Sequence, residues 1–259
     1  MMKSDDLTHC ARLARKHDYG RYLGALAAPA GQRDMLFVLL AFNDELGRIR
    51  DIVSEPGLGD IRLAWWRELI LSDADNAGAH PVARAIRGLL DQGAVSKDKL
   101  SAMIDGRARD LDPDPFQSVE DVVDHARQTA GRLSLAALEV LGVSDSDSSE
   151  CATDVAIAWG LTGLLRSMPH HEQAGRPMLG KSVPPGDLLD RADDALISAR
   201  GRARKISQQA MPVLYPARIC DLWLARFRAC GADPWKVDLA MAPVTPVWRI
   251  LTGRILGRF

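Results

Sequence analysis

"QRDMLFVLLAFNDELGRIRDIVS", residues 32–54, decides the fold class. Its apolar run from Met35 to Phe42 shows no strict alternation, and the charged residues behind it recur at helical spacing, so it predicts one helix over Gln32–Ser54. At about 100° per residue, Asp44, Arg48, Asp51 and the next acid, Glu55, share one helical face. That stripe has three readings: a carboxylate metal site, the remnant of one, or ion pairs on a solvated face worth about 0.2–0.5 kcal/mol each.

Outward from this stretch the apolar period stays helical. Further helices are predicted over Asp5–Lys16, Leu58–Ser72, His80–Asp91, Lys97–Asp110, Ser118–Leu141, Ser146–Met168, Asp187–Gln209, Pro212–Cys230 and Thr245–Leu256. The fold class is all-α. Ser118 with Asp121 forms a capping box of acidic type, and Ser149 is placed to cap the helix that follows it. The longest connection, Pro169 to Gly186, carries two histidines and two basic residues, and a connection of that length in a helical body is often functional. His170 and His171 within it read as a loop pair without a ligand role, since no third acid or thiol stands beside them. Trp65 and Trp66 read as helix packing. Without a repeat or a long linker, residues 1–259 read as a single domain.

Composition bounds the function. A chain of 259 residues, 47% of them hydrophobic, can bury a large core. A net charge of −1 supplies no whole-molecule field to gather nucleic acid, so no nucleic-acid partner is expected. Four cysteines, Cys10, Cys151, Cys220 and Cys230, make neither a metal-type pair nor a disulfide framework, which favours a reducing compartment. The opening residues lack the apolar centre of a secretory signal, and the runs "MLFVLLAF" and "VAIAWGLTGLL" fall short of the roughly 20 residues needed to cross a bilayer. The expected location is cytoplasmic, with peripheral attachment to the inner face of the membrane left open.

Residues 245–259, "TPVWRILTGRILGRF", read as a peripheral helix. Trp248, Leu251, Ile255 and Phe259 fall on one face, and Arg249, Arg254 and Arg258 stand elsewhere. Both a helix lying on anionic lipid and one packed back onto the domain fit this pattern. Gly253 and Gly257 count against a helix by roughly 1 kcal/mol each.

Three ordered segments carry a resemblance. "YLGALAAPAGQRDMLFVLLAFNDELGRIRDIVSE", "MIDGRARDLDPDPFQSVEDVVDHARQTAG" and "GLTGLLRSMPHHEQAGRPMLG" resemble, in order and spacing, conserved segments of the squalene/phytoene synthase family. The resemblance implies the isoprenoid synthase fold, a single helical bundle around a central cavity. It also implies two D-x-x-x-D motifs that hold Mg²⁺ and a substrate diphosphate across that cavity. Aligned on those motifs, this chain carries Gly47 and Arg48 ahead of the one remaining acid, Asp51. At the second motif Ser167 and His171 occupy the aspartate positions, Gly160 and Gly163 replace a Gln and an Asn, and Arg166, Gly175 and Arg176 match.

Mg²⁺ demands near-octahedral oxygen ligation, and one surviving aspartate does not supply it. Guanidinium groups at Arg48, Arg50, Arg166 and Arg176 suit an anion without metal. The departures resemble a degenerate branch of the family that includes respiratory complex I assembly factors. This implies a non-catalytic protein without a cofactor, binding an isoprenoid-like or diphosphate ligand, or a protein partner in a respiratory complex, near a membrane. The alternative is a prenyl transferase making a head-to-head isoprenoid, with Mg²⁺ held by a rearranged set of Asp51, Glu55, Asp105 and Asp110.

Overall fold

The computed structural model describes residues 3–53, 56–72 and 77–259. Among these the chain is helical throughout, with one isolated bridge between Phe116 and Leu179 in place of a sheet. The helices are α1 (Ser4–His17), α2 (Tyr19–Ala25), α3 (Ala30–Gly47), α4 (Ile49–Ile52), α5 (Pro56–Leu71), α6 (Pro81–Asp91), α7 (Lys97–Asp105), α8 (Val119–Ala126), α9 (Arg132–Val140), α10 (Ser146–Gln173), α11 (Pro185–Gly201), α12 (Met211–Leu214), α13 (Ala217–Ala229) and α14 (Val244–Leu256).

Two helices organise the body. In α3 every residue from Leu36 to Phe42 is buried, because α1, α2, α6 and α9 all pack on it. A helix that is apolar all round has to lie inside the protein. The second is α10, whose 28 residues pack against α8, α9, α11, α12 and α13. Its buried residues, among them Ala152, Val155, Ala158, Leu161 and Leu165, return at three- and four-residue intervals. Trp66, 4% exposed, meets the Phe42 ring edge-on at 5.0 Å, so the tryptophan pair packs the core as read. Cys10, Cys151 and Cys220 are buried and free, and burial pushes each thiol up to about 12.

Several expected boundaries shift for identifiable reasons. The helix expected over Gln32–Ser54 ends at Gly47 and restarts as α4, which changes the phase of its polar face; its last residue lies outside the described residues. The Lys97–Asp110 helix ends at Asp105 and is followed by a 3-10 turn over Ala108–Leu111. A π-helical turn at Arg127–Gly131 interrupts the Ser118–Leu141 helix, and its Thr129 and Ala130 face the cavity described below. The Asp187–Gln209 helix stops at Gly201, and Pro212–Cys230 divides at Pro216.

The α2 helix escapes the periodicity because "YGRYLGA" holds two glycines, and tertiary packing demands them: a Cβ at Gly24 would sit 2.6 Å from the Pro212 carbonyl oxygen. Ser118 caps α8 as expected, its hydroxyl accepting the Asp121 N–H at 3.1 Å. The cap of α10 is Asp145 instead of Ser149, with its carboxylate accepting the Ser148 N–H at 2.7 Å. Pro169 does not end that helix, which runs on to Gln173. His170 and His171 are therefore helical, and the long connection shrinks to residues 174–184.

Candidate functional site

The helices enclose a cavity of about 620 Å³. Its walls come from α2 (Tyr19, Arg21), the α3–α4 junction (Asn43, Gly47, Arg50, Asp51), α8 (Val122, His125), α10 (Trp159, Gly163, Arg166, Ser167, His171) and α13 (Trp223), with Met241, Pro243 and Pro246 also lining it.

One wall is a polar network. Asp110 is buried, accepts from Arg107 at 3.0 Å and pairs with His125 Nε2 at 3.1 Å, and Arg107 also donates to the Asn43 side-chain carbonyl at 2.9 Å. Burial alone would raise the Asp110 carboxyl, but Arg107 and His125 outweigh it and hold the group at about 2. Asp18 caps α2 and binds the Arg21 guanidinium at 3.2 Å.

Another part of the lining is cationic and open. Arg166 lies 4.8 Å from the Trp223 ring and 5.8 Å from Trp159, without a hydrogen bond or an ion pair. Its buried Nε, the buried Nη1 of Arg50 and the buried indole Nε1 of Trp223 have no acceptor among the described residues. Burial lowers the basicity of Arg21, Arg50 and Arg166, which stay charged. Burial and then Arg50 lower His171, so it is neutral near pH 7. Buried donors without acceptors are rare in proteins, and three of them around one cavity describe a place for an acceptor-rich group.

The sequence-derived candidates divide. Asp51, Asp110, Arg166, Ser167 and His171 line the cavity. Arg176 stands behind it as a brace, donating to the carbonyls of Arg50 at 2.8 Å and Val53 at 3.3 Å, while Arg50 returns a hydrogen bond to the Arg176 carbonyl at 2.9 Å. This brace depends on the end of α10. Gly175 adopts φ 69°, and the Arg176 N–H reaches back to the His171 carbonyl at 2.9 Å, so the chain turns toward α4. Asp44 instead holds His17 at 3.1 Å and Arg48 at 3.8 Å, and the Arg48 side chain is about half exposed. The break at Gly47 takes these two off the face that Asp51 occupies. Asp105 is the clear correction: it pairs with Arg67 at 2.6 Å, and its side chain is 63% exposed. Glu55 lies outside the described residues. Sequence reasoning missed Asp18, Arg21, Arg107, His125, Trp159 and Trp223, because their positions become neighbours only through tertiary packing. The Arg21–Asp18 and Arg107–Asp110 pairs each had a local signal, their spacing of three.

Mg²⁺, which the resemblance implies for active family members, does not fit these residues. Asp110 is committed to Arg107 and His125, and Asp18 to Arg21. Among the described residues no three His, Cys, Asp or Glu side chains converge in a way that could hold a metal ion.

Comparison with known proteins agrees with this architecture. A crystal structure of a dehydrosqualene synthase superposes with a TM-score of 0.79 at 17% identity, covering 97% of this chain and 96% of that one, which shows the fold. The bovine (Bos taurus) NADH dehydrogenase (ubiquinone) complex I, assembly factor 6, is 33% identical over 176 residues, 68% of this chain and 53% of the relative. A 15-cis-phytoene synthase of Paracoccus sp. is 30% identical over 148 residues, 57% of this chain and 43% of that enzyme. The chain thus spans about half the length of these curated relatives. The family model for squalene/phytoene synthase matches residues 14–183, and the chain belongs to that family.

Proposed function

We propose that this chain is a non-catalytic member of the squalene/phytoene synthase family that assists assembly of a respiratory complex at the inner, cytoplasmic face of a membrane. Its cavity binds an anionic, isoprenoid-like ligand through guanidinium groups in place of metal. The observation that carries this reading is the composition of the cavity wall. Gly47, Ser167 and His171 stand at the aspartate positions, while Arg50, Arg166 and Trp223 offer buried donors without acceptors. The bovine relative, named as a complex I assembly factor, supports the biological context. The rearranged transferase gains no support from Asp105, which lies at the surface beside Arg67.

Calorimetric titration with farnesyl and geranylgeranyl diphosphate, each with and without Mg²⁺, tests the cavity. Binding is expected to be independent of Mg²⁺ and to weaken at least about tenfold in Arg166→Leu, the scale of one lost charge-assisted contact. The Arg166→Leu fold should hold, because a buried cation without an acid partner gives little net stability. Mg²⁺-dependent binding with product formation would overturn the reading. In cells lacking the protein, Asp51→Ala is expected to restore assembled complex I on a native gel as well as the unaltered chain does.

A further inference from the structure

The last helix does not bury its whole apolar surface. Ile250 and Gly253 of α14 face the body, where Arg218 donates to the Arg249 carbonyl at 2.9 Å. Val244, Trp248, Leu251 and Ile255 form a second apolar stripe at intervals of four, three and four residues, and they are 65%, 66%, 43% and 81% exposed. Of thirteen large apolar side chains exposed among the described residues, seven lie between Trp235 and Leu256, so this exposure is concentrated. The helix is also held firmly in this orientation. A Cβ at Gly253 would fall 2.7 Å from the Arg258 carbonyl oxygen, and Gly257 ends the helix at φ 61°. Phe259 therefore folds back and is buried, off the stripe on which the sequence placed it.

The charge beside the stripe selects its occupant. Residues 240–259 contain Arg249, Arg254 and Arg258 and no acid, in a chain whose net charge is −1, and all three arginines are exposed, with no ion pair among the described residues. A second copy meeting this face across a twofold axis would set three arginines against three. A 13-residue helix is too short to cross a bilayer, and no helix among the described residues is long and apolar enough to do so. Trp248 and the flanking arginines suit the headgroup boundary instead.

We infer that the exposed face of α14 docks this protein on an anionic phospholipid surface. This deepens the membrane-surface reading above and rests on it. Met241, Pro243 and Pro246, at and just before the start of α14, line the cavity, so the docked helix lies next to it.

Flotation with phosphatidylcholine vesicles, with and without phosphatidylglycerol, tests the inference on the full chain. Binding is expected only with the anionic lipid, to weaken as salt rises, and to fall at least about tenfold in the double variant Trp248→Glu, Ile255→Glu. Both side chains are exposed, so thermal unfolding of the variant should match the parent. An Arg249→Glu, Arg254→Glu variant that leaves the apolar stripe intact should also lose binding.

Equal binding to neutral vesicles, no binding to either, or binding that survives both variants would overturn the docking inference. So would a parent dimer, or a complex with a respiratory-complex subunit, that the double variant dissolves while vesicle binding persists. Diphosphate titration of the parent chain separates the two ideas: ligand binding by a parent that does not float overturns only the docking surface, and flotation of a parent that binds no diphosphate overturns only the cavity.

Discussion

At the residue scale, Asp110 shows how an acid can remain where the resemblance expects one and yet serve another purpose. Its carboxylate is buried between Arg107 and His125, and Arg107 is tied in turn to Asn43 on α3. The pair joins the turn after α7 to α3 and α8 and so supports the cavity wall. Its folded value of about 2 lies below the ordinary 3.8, so ionised Asp110 stabilises the fold above that ordinary value. The contribution is lost progressively as pH falls through 3.8 toward 2. Removing the charge leaves Arg107 buried without its acid, so Asp110→Asn is expected to cost on the order of 3 kcal/mol in urea unfolding at pH 7. The same variant should lose less stability than the parent between about pH 5 and pH 2, because it has no carboxylate left to protonate there. An unchanged midpoint at pH 7 would show the network to be dispensable.

At the element scale, the two motif-bearing segments are joined by guanidinium-to-carbonyl hydrogen bonds. The end of α10 and the short α4 hold each other through Arg176 and Arg50, and the left-handed residue Gly175 aims the first of these. A Cβ at Gly175 would meet nothing within 4 Å, so Gly175→Ala isolates the backbone effect. It is expected to cost about 1–2 kcal/mol in thermal or urea unfolding and to speed amide exchange across Ile49–Val53. Unaltered exchange there would mean that α4 is held by other contacts.

This clamp also shows what the sequence made legible. Helical period exposed α1, α3, α6, α10 and α14, and the spacing of the matched motifs pointed to Arg166, Arg176 and Asp51. It did not expose α2, whose glycines answer to packing against another helix, nor the break at Gly47 that separates Asp44 and Arg48 from the cavity. Asp105 misled because its neighbour Asp110, five residues on, does enter the wall on a 3-10 turn, while Asp105, at the end of α7, stays outside with Arg67. The aromatic bracket of Arg166 joins α10 to α13, a long-range pairing that periodicity within either helix does not reveal.

At the scale of the whole molecule, the question is whether the inherited cavity is one substitution set away from metal chemistry. A carboxylate introduced by Gly47→Asp would enter next to a cation, since a Cβ on Gly47 lies 3.5 Å from the Arg107 guanidinium. Arg107 already serves Asp110 and Asn43, so the new carboxylate would compete for that guanidinium before it reached a metal. On α10, acids in place of Ser167 and His171 would enter a lining that holds Arg50 and Arg166, whose unsatisfied N–H groups donate readily to carboxylates. The triple variant Gly47→Asp, Ser167→Asp, His171→Asp is therefore expected to fold, to lose diphosphate affinity by at least about tenfold because its acids occupy the anion-binding donors, and to show no calorimetric Mg²⁺ binding. If the triple variant instead bound diphosphate in a Mg²⁺-dependent manner, the surrounding arginines would be neutral bystanders. The replacement of three aspartates would then be the entire difference between this chain and a metal-dependent relative. The clamp, the Asp110 network and the Arg166 bracket predict the first outcome, because introduced carboxylates would meet the same unsatisfied donors that the proposed anion would use.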